Sequence, residues 1–360
     1  MRKSESVKRT ITYLEIAARL RQDILEGKLK PGTPVLSSRE LARNFGVSLS
    51  TAHKAANCLV RESLIYRRQG SGTFVNSPKA PSGKVLHIGC AIRKEFEDMK
   101  IARLLSIPGI RLVKRLRASG CRIRFIPNDA FADRRKLKPY LEGLDGLLIS
   151  CAYINLQECA YLHELRLPVV LFQGDSELPL PFHQVLPDHM TGMRELFAKA
   201  RQARLQGVVI IYPDHANGCA RGDACSMAAE EYGFSDIEKI KAESPSTNFY
   251  KLGLELSRRC FNRLIVTCTD LATFDLIHAF HDVGLEPDRE YHLVGYDDVE
   301  GIGVSPLAEP TATALSVNRD AINHYAEELL FSEIRHPSAC SHIIRVPTKL
   351  IIRKTAFTQL

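Results

Sequence analysis

The sequence predicts an α/β chain in two parts, an N-terminal winged helix-turn-helix joined to a larger body of two Rossmann-like lobes. Three observations carry this. A helix–turn–helix pattern at Ser37–Ala56 is followed by a strand, glycine turn and strand that include RQGSGTFV at Arg68–Val75. From Val85 onward short apolar strands alternate with amphipathic helices, the grammar of parallel sheets. The charge is also divided. Residues 1–84 hold 16 Lys and Arg against 6 Asp and Glu, a net of +10, whereas the other 276 hold 33 against 35.

In chain order, Met1–Thr10 is a basic arm without the apolar stretch of a secretory signal. No run of about 18 apolar residues offers a membrane span, so a cytoplasmic protein with no membrane partner is expected. Tyr13–Glu26 reads as a helix with Ile16, Ala17, Leu20, Ile24 and Leu25 on its inner face, ended by Gly27. Pro31, Gly32 and Pro34 form the turn that follows. Leu41, Ala42 and Phe45 give the next helix one apolar stripe. Gly46 supplies a left-handed turn residue, and Ser48 or Ser50 can cap the helix beyond it. That helix carries Ala52, Ala55, Ala56 and Leu59 inward and Leu49, Ser50, Thr51, His53 and Lys54 outward. Hydroxyls and an imidazole suit base edges, and a lysine suits phosphate. The wing places Arg68, Gln69, Gly70, Ser71 and Gly72 at its tip. Asn76–Lys84 has a linker's composition, which divides the chain into residues 1–75, 76–84 and 85–360.

In the body, strands are predicted at Val85–Ile92, Arg122–Pro127, Leu144–Ser150, Pro168–Gln173, Gln206–Pro213, Arg263–Cys268 and Tyr291–Tyr296. Helices are predicted at Ile101–Ser119, Arg134–Glu142, Leu156–Leu165, Thr191–Ala203 and Ala272–Val283. Two such runs imply two lobes with a cleft between them. A second basic stretch, Arg111–Lys138, reads as solvated surface or a neighbour of the basic head. Ten cysteines without C-x-x-C or zinc-type spacing imply reduced, buried thiols and no metal site. The chain lacks G-x-S-x-G, a Walker loop, H-E-x-x-H and a strand-following G-x-G-x-x-G. Neither catalytic residues nor a cofactor are expected.

Residues 13–75 resemble the winged helix-turn-helix of the GntR family of bacterial transcription regulators. The matching phrases are YLEIAARLRQDILEGKLKPG from Tyr13, SSRELA from Ser37, VSLSTAHKA from Val47 and GSGTFV from Gly70. The resemblance implies DNA contacts at Arg39, Ser48, Thr51, Gly70 and Gly72. Leucine and histidine stand at Leu49 and His53 where the family has arginine, so a different operator preference is implied. From Leu264 onward the chain resembles the LacI/GalR-type effector domain, which shares the periplasmic sugar-binding protein fold. Thr269–Asp270, Ala272, Gly284 to Asp288 and Val294 to Asp298 carry the likeness, with Leu307–Asn318 and Arg345–Thr355 beyond. The combination is similar to the arabinose-repressor type.

That resemblance implies an effector, a sugar or sugar derivative, held between the lobes at the carboxyl ends of the strands. Asp270 and Asp297 fall there, and Arg221 falls near the family's ligand arginine. Arg93, Tyr153, Gln173 and Asp175 follow strands of the first lobe, and Asp188 belongs to a V-x-x-D-x-x-x-G segment. The implied protein is a homodimeric repressor of a palindromic double-stranded DNA operator. A small-molecule receptor without a regulatory DNA role would use the body and leave the basic head unemployed.

Overall fold

Ser37 and Glu40 close a capping box. The Ser37 hydroxyl accepts from the Glu40 amide at 3.3 Å, and Glu40 Oε2 accepts from the Ser37 amide at 2.7 Å. Two orphan donors at a helix start are thereby met together. Gly46 ends the same helix at φ +63, a conformation glycine adopts without Cβ strain. The computed structural model in which these contacts are seen describes residues 12–25, 28–30, 32–61, 64–68, 72–76, 85–91, 107–150, 156–174, 180–243, 247–303, 305–338 and 340–360.

The chain forms two compact units, Met1–Gly83 and Lys84–Leu360. In the first, α1 (Tyr13–Leu25), α2 (Ser38–Phe45) and α3 (Leu49–Arg61) bury Ile16, Ala17, Leu20, Leu41, Ala52, Ala55 and Leu59. The alanines let α3 approach its neighbours closely. Ser48 caps α3, its Oγ accepting from the Thr51 amide at 3.1 Å. Strands β1 (Pro34–Val35), β2 (Ile65–Arg68) and β3 (Gly72–Val75) make an antiparallel sheet in the order β1–β3–β2.

Among the described residues the second unit holds two six-stranded sheets. The first lobe's sheet comprises β4 (His87–Ala91), β5 (Arg122–Phe125), β6 (Gly146–Ser150), β7 (Val169–Phe172), β8 (His183–Asp188) and β14 (Ile343–Pro347). Its order is β14–β8–β7–β6–β4–β5, and all its pairs are parallel. The second lobe's sheet comprises β9 (Gly207–Pro213), β10 (Asp236–Ala242), β11 (Arg263–Thr267), β12 (His292–Asp297), β13 (Thr313–Ser316) and β15 (Lys349–Ile351). It runs β10–β9–β11–β12–β13–β15, with β15 antiparallel. Successive residues of β9 point into opposite cores. Val208 and Ile210 pack with Phe197, Val266 and Tyr296, while Val209 and Ile211 pack with Ile265, Phe274 and Phe280. Strands covered on both faces read as continuous apolar runs, which is why they were legible.

Among the described residues of the body the helices are α4 (Ile107–Ala118), α5 (Arg134–Leu141), α6 (Leu156–Glu164), α7 (His189–Gln202), α8 (Ala216–Glu231), α9 (Phe249–Leu256), α10 (Asp270–Asp282) and α11 (Arg319–Arg335). The chain passes between lobes at Asp188, at Val317–Asn318 and at Thr348. Thr348 stitches two of these together: its Oγ1 donates to the Asp188 carbonyl at 2.8 Å and accepts from the Gly192 amide at 3.2 Å.

Several boundaries differ from the sequence reading. Helix α10 begins at Asp270 rather than Ala272, so Asp270 is its first residue and not part of the preceding loop. The helix expected over residues 101–119 is described from Ile107. The basic stretch 111–138 is partly neutralised inside the body. Arg111 pairs with Asp320 at 2.9 Å, and Arg115 Nε donates to Glu327 Oε2 at 2.9 Å. Burial pushes the Glu327 carboxyl up, and Arg115 pulls it back. Among the described residues eight cysteines are free, and burial pushes the Cys268 thiol up to about 12.

Candidate functional site

The head presents Leu49, Ser50, His53 and Lys54 on the exposed face of α3, with Arg39, Arg68 and Gly72 also exposed. Leu49 is 52% exposed, large for an apolar side chain on a helix that buries its opposite face. Thr51 is half-buried, and its hydroxyl lies 2.8 Å from Ser48 Oγ. Arg67 Nη2 donates to Asn57 Oδ1 at 2.6 Å and so ties the wing to α3. Gln69, Gly70 and Ser71 lie outside the described residues. Leucine at position 49 offers only apolar contact, such as to a thymine methyl, whereas arginine binds guanine bidentately. Leu49→Arg is therefore expected to change the operator selected from randomised DNA, with about 1–3 kcal/mol of new discrimination at one base pair; identical selected sequences would contradict this.

In the body the residues come together around Asp297, the last residue of β12, which holds φ +99. A non-glycine residue rarely stays in that region unless its surroundings hold it there. Arg221, on α8, grips the carboxylate with Nη2 on Oδ1 at 2.8 Å and Nη1 on Oδ2 at 3.1 Å. Its Nη1 also donates to the Cys268 carbonyl at 2.9 Å, and the guanidinium lies 4.2 Å over the Tyr296 ring. Burial works against the Arg221 charge, but Asp297 beside it holds the pKa above its ordinary value. Arg319, the first residue of α11, donates from Nη2 to Asp297 Oδ1 at 3.0 Å and from Nη1 to the Asp297 carbonyl at 2.6 Å. The three side chains are 14%, 12% and 15% exposed, enough for a ligand to touch them at one edge.

Asp270 sits behind this group. Its Oδ2 accepts from the Val299 amide at 2.8 Å, and its Oδ1 lies over Gly295, where an added Cβ would come within 2.4 Å. Burial first, then the Asp297 charge, pushes its pKa well up. Gln173, at φ +63, follows β7 directly and donates to Asn323 Oδ1 on α11 at 3.2 Å. The next residue, Gly174, faces the second lobe: a Cβ there would fall 2.7 Å from Asn217 Oδ1 on α8. Asp188 caps α7, accepting from the Thr191 hydroxyl at 2.6 Å. Arg93, Tyr153 and Asp175 lie outside the described residues. Arg319 was missed by sequence reasoning. One signal was available, a cation at the first position of a helix, where the helix dipole disfavours it.

Residues 12–75 match the family described as bacterial regulatory proteins, gntR family, and residues 199–356 match a periplasmic binding protein-like domain. The HTH-type transcriptional repressor NagR of Bacillus subtilis is 38% identical over 101 residues, which are 28% of this chain and 39% of that protein. The arabinose metabolism transcriptional repressor of Geobacillus stearothermophilus is 24% identical over 348 residues, 88% of this chain and 87% of that one. A LacI family transcriptional regulator from Enterococcus faecium, solved with bound ribose, superposes with a TM-score of 0.61 at 15% identity. It covers 75% of this chain and 98% of its own.

Proposed function

Because this chain carries a gntR-family DNA-binding domain ahead of a periplasmic-binding-protein-like body, we propose that it is an effector-controlled transcription repressor. The head binds an operator, and the body binds a sugar or sugar derivative in its interlobe cleft. The observation that carries this is the joining of a net +10 head, with its polar α3 face outward, to a body whose strand ends gather Asp297, Arg221 and Arg319. Two copies related by a twofold axis would set two heads on the half-sites of a pseudo-palindrome. The effector changes the closure of the lobes and thereby the grip of the paired heads. Such a coupling amounts to about 1–3 kcal/mol. Among the described residues no helix is long and apolar enough to cross a membrane; operator binding places the working protein in the cytoplasm.

The test is a gel shift with fragments of the surrounding genome at rising salt. Retardation is expected, with affinity falling by about 10³-fold or more between 50 and 200 mM salt if six or more phosphates are met. Arg39→Ala should weaken it. Absence of retardation at low salt would leave a small-molecule receptor as the reading.

A further inference from the structure

The two lobes touch at a place where the chain does not join them. Gly174 lies just past β7 of the first lobe, and Asn217 is near the start of α8 in the second. Neither belongs to the passages at Asp188, Val317–Asn318 and Thr348. The ion pair of Asp297 with Arg319 also crosses between lobes, because Arg319 opens the helix that covers β6 and β7. That pair stands beside a passage, so the connectivity of the chain brings it about. The meeting of Gly174 with Asn217 depends instead on how far the lobes have closed.

Among the described residues, the three atoms nearest to a Cβ built on Gly174 all belong to Asn217. They are Oδ1 at 2.7 Å, Nδ2 at 2.9 Å and Cγ at 3.2 Å. Such a Cβ would point at the middle of the amide. Flipping the amide exchanges its two ends and leaves Cγ in place, so the overlap stays. The φ of Gly174 lies outside the left-handed region, and its backbone would accept a side chain without strain. Glycine is needed there for room, and what fills the room is the other lobe. Asn217 and Arg221 stand four residues apart on α8 and share a face. The contact and the Asp297 group therefore lie along the same wall of the cleft.

We infer that Gly174 and Asn217 are the closing contact of the body. The lobes shut until the Asn217 amide lies on the bare Cα of Gly174, and a side chain at 174 props them apart. This rests on the effector-binding reading of the cleft and deepens it by naming where the switch stops. A ligand that binds only the closed form has its affinity scaled by the share of protein in that form. Residue 174 thus tunes effector sensitivity through the equilibrium of the lobes.

The test uses the full chain carrying Gly174→Cys together with Asn217→Cys. Cγ of residue 217 stands close enough to the added Cβ for the two sulfurs to bond. Mild oxidation is expected to join them at monomer mobility, and peptide mass spectrometry separates this link from any made by the ten native cysteines. With the body held shut, retardation of genomic DNA fragments should change about five- to 150-fold, and reductant should reverse it. Gly174→Val by itself should raise the radius of gyration in small-angle scattering, and adding Asn217→Ala should lower it again. If the Val variant shows no cooperative melting, Gly174→Ala takes its place with the same expectations. Absence of the 174–217 link would overturn the closing contact. So would scattering that stays native in the Gly174 variant, or that does not respond to Asn217→Ala. A link that forms, with the expected scattering but unchanged DNA retardation, would uphold the contact and overturn the effector-switch reading.

Discussion

In an Asp297→Ala variant the body is expected to lose about 3–5 kcal/mol of stability, because two buried guanidiniums are left without their counter-ion. For a unit of this size the melting transition should drop on the order of 6–15 °C. Effector response should vanish with it. The head is a separate compact unit, so its melting transition and its low-salt DNA binding are expected to persist. Differential scanning calorimetry with a parallel gel shift reads all three. An unchanged body transition would mean that Arg221 and Arg319 find water as easily as they find Asp297.

A single methyl group added at Gly218 is expected to do comparable damage by a packing route. Its Cβ would lie 2.2 Å from the Pro213 carbonyl oxygen, a backbone atom that cannot swing aside. Helix α8 must then move off β9, at about 1–3 kcal/mol or more. Arg221 rides on the same helix, so Gly218→Ala should also weaken effector binding about tenfold or more, as a charge-assisted contact is lost. Thermal melting and ligand titration check the two effects. An unshifted melting point with unshifted affinity would show that the helix is free to retreat.

These two sites also mark where the sequence was and was not readable. The pattern at Ser37–Ala56 was legible because caps, a glycine turn and an alanine-faced helix are local signals. Body strands such as β9 were legible because residues such as Val208–Ile211 are covered on both faces, whereas β8, β10, β13, β14 and β15 were not read as strands, β10 and β14 being largely exposed. Helix α8 was not legible either. Its run ANGCARGDACSMAAEE has small residues in place of an apolar stripe, and the reason is tertiary: Gly218 and Gly222 meet Pro213 and Tyr212 on β9. Nor was Arg319 legible as a site residue. It stands 22 positions beyond Asp297, and the two meet only because the chain passes between lobes between β13 and α11. Asp297 and Arg221 had been placed near the cleft by family likeness, but their mutual pairing was visible only in three dimensions.

The three passages between lobes have a consequence for how the chain is made. The first lobe is assembled from two distant stretches. Residues 87–188 supply five strands, but the sixth, β14, and the helix that covers β6 and β7 come from residues 319–347. Gly146 on β6, for instance, lies against Leu330 of α11, since a Cβ there would fall 2.9 Å from Leu330 Cδ1. The second lobe is nearly contiguous, residues 189–316 with β15 added. Vectorial synthesis ordinarily completes the N-terminal part first, yet here the lobe translated earlier is finished later. Its high contact order makes that closure the slow step, and a ribosome that stops before α11 releases a complete head, an almost complete second lobe, and a first-lobe sheet that lacks β14 and the helix over β6 and β7.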